Sequence, residues 1–101
     1  MARRLLGTMI VHGFPRASLA AELELARWIG AELLEILPFW RREPDPVEAR
    51  ERARDAGFVI HSVHGSWGGE SIRARRVDLG SPDPAVQEES VDDLRRCLDW
   101  L

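Results

Sequence analysis

Cysteine is almost missing from this chain: Cys97 stands alone among 101 residues, which excludes an internal disulfide and a cluster of thiolate zinc ligands. A lone thiol fits a reducing compartment, so a cytoplasmic setting is the expectation. No apolar run comes near the roughly 20 residues that a membrane-spanning helix needs, and no membrane partner is expected. Arg3 and Arg4 precede an apolar stretch, but Gly13 and Pro15 interrupt it too soon for a signal peptide. Positive excess is lacking as well. Fourteen basic residues against 17 acidic ones leave a formal net charge of −3, which argues against a nucleic-acid module whose phosphate contacts need a clear surplus. No H-x-x-x-H, C-x-x-C or clustered acidic motif marks a self-contained metal site.

What is present is enough for one domain spanning 1–101, with a modest core. The stretch 58–65, FVIHSVHG, is too short and too β-branched for a helix, and reads as a strand buried on both faces. It hands off through His61 and His64 into a glycine-rich loop. Residues 8–12 read as an earlier strand ending in His12. Ser18 is a suitable N-cap for a helix over 19–29, where Leu19, Leu23, Ala26 and Ile29 share a face and Gly30 ends the run. A second strand is expected over 32–37 with Glu35 in its middle and Pro38 at its end. Asp45, Pro46 and Glu48 then supply an N-cap, a first-turn proline and a capping-box carboxylate for a helix over 46–56, whose face is Val47, Ala49, Ala53 and Ala56. After a long loop over 65–81, Asp83 and Pro84 open a last helix in which Val91, Leu94, Leu98 and Leu101 keep helical spacing. Cys97 falls on an apolar face there and reads as core packing.

The order is βαβαβα, an α/β fold with parallel strands and helices packed outside them. A closed barrel and an open doubly wound sheet share that repeat, and periodicity does not choose between them. Three segments carry a further signal: SLAAELELARWIGAELLEILP, DAGFVIHSVHG and DLGSPDPAVQEESVDDLRRCLDW. Together they resemble the sugar phosphate isomerase/epimerase family, the xylose isomerase-like TIM barrels that also include the apurinic endonucleases. The likeness spans nearly the whole chain. It implies that these residues are the first three βα units of a (β/α)8 barrel, whose members run to about 250 residues.

What the resemblance implies for chemistry follows from barrel geometry, in which strand carboxyl ends converge on one pocket. His12, Glu35 and His64 would then face that pocket or its rim. His64 matches the family's third-strand histidine, a metal ligand in the endonuclease branch and a substrate or neighbouring contact in the isomerases. Glu35 resembles the acidic residue late on the second strand. Both are expected as catalytic residues, with His64 also a candidate metal ligand, because imidazole can bind a divalent cation or exchange a proton near neutral pH. His61, three positions earlier on an extended strand, is expected on the opposite face, toward the helices. Trp40 and Trp67 leave the second and third strands on one side and are candidates, with His12 and Arg41, for binding a sugar. Arg42, Arg73, Arg75 and Arg76 share those loops, a setting suited to a phosphate or carboxylate. Solvated charge is the plain alternative for each arginine.

The implied activity is that of a divalent-metal-dependent isomerase or epimerase acting on a sugar or sugar phosphate. Its Mg²⁺, Mn²⁺ or Zn²⁺ would be held by Glu, Asp, His and Glu from later strands, so these three units alone are expected to bind no metal and to be inactive. An abasic-site endonuclease barrel is a second reading, disfavoured by the acidic balance. A third is a non-catalytic α/β module, whose open sheet edges would associate with a partner or with another copy.

Overall fold

The computed structural model describes residues 2–13, 18–43, 45–65 and 77–101. Three strands, β1 (Gly7–His12), β2 (Leu33–Pro38) and β3 (Val59–Val63), alternate with helices α1 (Leu19–Trp28), α2 (Pro46–Asp55) and α3 (Pro84–Leu98). All three strands are parallel and lie in the order β1-β2-β3 in one open sheet. The α/β alternation expected from the hydrophobic pattern is therefore present.

Local chemistry fixes the helix ends. The Ser18 hydroxyl accepts from the Ala21 N–H, and the Asp45 carboxylate accepts from Val47 and Glu48 N–H, so both starts satisfy donors that the helix leaves unpaired. Asp83 does the same for Ala85 at the start of α3. Gly30 and Gly57 take φ of 77° and 90° immediately after the C-caps of α1 and α2, a conformation that costs a side-chain-bearing residue more.

One core holds the elements together. It joins Ile10, Leu34 and Ile36 of the sheet to Leu19, Leu23 and Ala26 of α1, Ala49 and Ala53 of α2, and Phe58 and Trp100. Those strand residues share one parity of the register, so the core covers one sheet face. The other face carries Met9, half exposed, and Glu35, part-buried. Small side chains on α2 let it sit close while burying little area of its own. Val47 of its expected face stays exposed, and so does Ile29 of α1.

Two expectations fail here. β3 is an edge strand rather than one buried on both faces: Val59 is 60% exposed and His61 is exposed, since no fourth strand lies beyond it among the described residues. α3 turns a different side inward from its aliphatic stripe. Ser90, Asp93 and Cys97 are buried, with Trp100 just beyond the helix, whereas Val91, Leu94, Leu98 and Leu101 are exposed. Hydrogen bonds explain why polar groups win those inward places. Ser90 Oγ accepts from the Asp78 N–H and donates to the Val86 carbonyl, and Asp93 accepts from the Trp40 indole at 2.9 Å. Trp100 enters the core at 1% exposure and its ring meets His12 edge-on at 5.1 Å. Arg50 of α2 donates to the Asp99 carbonyl. With Leu94 beside Gly65, these contacts lay α3 across the carboxyl ends of the three strands. A helix following β3 in a closed barrel would run along the outer flank of that strand instead.

Candidate functional site

A carboxylate in the middle of an apolar strand is costly unless it is partnered. Glu35 is such a residue, and strand register decides where its partners come from. It pairs with Met9 on one side and with Ser62 on the other. Between β2 and β3 the pairing jumps from Leu34↔Ile60 to Glu35↔Ser62, so His61 is an extra residue without a partner position: a β-bulge. Its effect is to shift the parity of everything after it. Ile60 and Val63 both pack on the core, while Ser62 and His64 both reach Glu35 on the uncovered face.

The resulting cluster is small and well defined. The Ser62 hydroxyl donates to Glu35 Oε2 at 3.3 Å, and His64 Nδ1 lies 3.1 Å from Glu35 Oε1. An ionised carboxylate can only accept, so a hydrogen bond here has the Nδ1–H of His64 donating to Glu35 Oε1. The His64 backbone is held too, its N–H donating to the Ile36 carbonyl at 2.8 Å. Both side chains remain about two-fifths exposed, at 42% and 40%. A histidine oriented by a carboxylate and partly open to solvent is an arrangement suited to moving a proton.

The other expected site residues lie elsewhere. His12 occupies the parity of Ile10, on the helix-covered face, and packs on Trp100, so it does not converge with Glu35 and His64. Burial lowers its pKa below the ordinary histidine value, with Arg52 acting in the same direction and Glu43 and Glu48 opposing. Trp40 is tied to α3 through Asp93 and lies between the guanidinium groups of Arg41 and Arg96, at 4.4 and 4.7 Å from its ring. These contacts tie Trp40 to α3 and stack Arg41 on its ring. Arg42 is exposed. Trp67, Arg73, Arg75 and Arg76 lie outside the described residues. His61 is exposed instead of facing the helices, because the bulge breaks the strict alternation on which that expectation rested.

Ser62 was missed from sequence. Its signal was present as the one small polar residue between two histidines in an apolar strand, two positions before His64 on the same pleat. Regular alternation alone would place Ser62 and His64 with Ile60, on the core side.

The fit to a divalent cation is poor. Among the described residues no three His, Cys, Asp or Glu side chains come together. Glu35 and His64 offer two donors where Mg²⁺ takes about six. Among the described residues no helix is long and apolar enough to cross a membrane. Compared with known proteins, the chain matches no family model, no curated protein and no solved structure.

Proposed function

We propose that the chain is the first sector of a (β/α)8-type enzyme of the sugar phosphate isomerase/epimerase kind, in which Glu35 and His64 handle a proton next to a sugar carbonyl. The observation that carries this reading is the Glu35–His64 pair: two groups from adjacent parallel strands, hydrogen-bonded on the sheet face that the helices leave uncovered. The strand order 1-2-3 with one core on one face supports it, since a barrel wall is wound in that sense while a doubly wound sheet places helices on both sides. On closure α3 would have to move from the strand ends to the outer flank of β3.

In this role the His64 imidazole, hydrogen-bonded to Glu35, takes a proton from a substrate hydroxyl or an acidic C–H. Glu35, held by Ser62, fixes the imidazole tautomer and balances the charge that develops. The chain's own part is to bind and orient the substrate and to move that proton. Further strands would have to supply the remainder of the pocket, so turnover by these residues alone is not expected.

The test is a titration of the isotope-labelled chain with a ketose phosphate, followed by NMR. The ring protons of His64 and the amides at the carboxyl ends of β2 and β3 should shift. Glu35→Gln should weaken the response by about tenfold, equivalent to roughly 1.4 kcal/mol. A titration that leaves the His64 ring unmoved up to millimolar sugar phosphate, or that shifts only residues on the helix side, removes this reading.

A further inference from the structure

We infer that the protein docks on itself, the outer face of α1 of one copy seating against the aliphatic stripe of α3 of a second. Two helices each expose an apolar row that the core does not use. On α1 the inward residues are Leu19, Leu23 and Ala26, and the opposite side presents Ala21, Leu25 and Trp28. Trp28 is 83% exposed, an unusual state for the largest apolar side chain. On α3 the exposed row is Val91, Leu94 and Leu98, continued by Leu101.

The spacing of the two rows is complementary. Steps of four then three on α1, and of three then four on α3, are those of helical seams that pack side by side. With the helices parallel and Trp28 set against Leu98, Ala21 falls against Val91 and Leu25 lies next to Leu94. That same alignment brings Glu24, exposed beside the α1 row, next to Arg95, exposed beside the α3 row. A shallow groove lined by Ala21, Glu24, Leu25 and Trp28 runs along the α1 row. An aromatic anchor, an aliphatic counterpart and an opposed charge pair at the rim are the parts of a protein–protein contact. The occupant of each row is therefore the other row, on a second copy of this chain. Because the two halves lie on different helices, the contact either forms twice about a two-fold axis or propagates.

Sedimentation velocity of the full chain across micromolar to millimolar concentration tests this. Mass above that of the monomer should grow with concentration. Trp28→Glu and Leu98→Glu should each return the chain to monomer with an unchanged far-UV circular dichroism spectrum, since neither residue is in the core. Glu24→Arg and Arg95→Glu should each weaken association by about threefold or more, the scale of an exposed ion pair turned repulsive. The two together should restore it. A chain that stays monomeric throughout overturns the inference, meaning that the rows meet a different neighbour. Association that survives Trp28→Glu, or a double charge swap no tighter than either single one, also overturns it. These readouts are independent of the sugar phosphate titration, so either proposal can fail alone.

Discussion

At the scale of single residues, the chemistry is concentrated where a charge sits in an apolar setting and finds partners. Glu35 has three neighbours of different kinds: Met9 beside it in the sheet, the Ser62 hydroxyl and the His64 ring. His12 presents the opposite case. It has an aromatic neighbour in Trp100 and no carboxylate within hydrogen-bonding distance among the described residues, and burial disfavours its charged form. Its lowered pKa has a consequence for stability. Below the ordinary histidine value the unfolded chain takes up a proton at this position more readily than the folded one, so stability is full above that pH and falls as pH drops toward the folded value. Thermal melts at pH 7.5 and 5.5 should therefore show the lower midpoint at 5.5. The gap should narrow in His12→Phe, which keeps an edge-on aromatic contact without the titration. An equal gap in both proteins would count against this account.

At the scale of elements, β3 and α3 each depart from what their own sequence favours, and each does so for a bond made to another element. The bulge at His61 leaves one residue unpaired in β3, and in return both Ser62 and His64 reach Glu35. α3 leaves Val91, Leu94 and Leu98 in solvent while Ser90 and Asp93 are buried at 0% and 2% exposure. The Trp40–Asp93 hydrogen bond is central to that choice, because it ties the loop after β2 to the buried side of α3. Trp40→Phe keeps the ring and removes the indole donor to a buried carboxylate. It should destabilise by about 1–3 kcal/mol. In a domain of this size that lowers the melting midpoint by about 4–8 °C for each kcal/mol. Asp93→Asn, which retains an acceptor oxygen, should cost less. Should Trp40→Phe melt within a degree of the parent, the link contributes little and α3 is held by its other contacts, those of Trp100 and Ser90 among them.

At the scale of the whole molecule, the helix-packed core covers one face of the sheet, the other is buried at Leu37 but part-exposed at Glu35, and among the described residues the sheet ends in two edges. β2 is paired on both sides, whereas β1 and β3 are paired on one. Opening of β1 or β3 breaks one ladder, and opening of β2 requires loss of both. Amide hydrogen exchange should therefore be slowest in β2, with protection exceeding that of the edge strands by about tenfold or more. Equal protection in all three strands would mean that something pairs with the edges in solution. The uncovered face and the exposed rows of α1 and α3 are separate surfaces with separate predicted uses. The first carries Glu35 and His64, and the second carries no titratable cluster of that kind.

The kinds of elements, their order and most of their ends are legible in the amino-acid chain alone. Hydrophobic period, capping residues at Ser18, Asp45 and Asp83, and glycines at 30 and 57 are local signals, and each element begins or stops within a residue or two of them. It also singled out Glu35 and His64, because a carboxylate inside an apolar strand and a histidine at a strand end stand out without any neighbour in view. Only the tertiary structure decided which of the candidates meet. A bulge is a property of two strands paired together, so no feature of 58–65 alone could say that His61 is skipped and that His64 consequently turns to the uncovered face. The side that α3 buries was settled in the same way. Hydrophobic spacing ranks its faces by transfer energy alone, whereas the indole of Trp40 and the backbone of Asp78, distant in sequence, supply the hydrogen bonds that make Asp93 and Ser90 the residues turned inward.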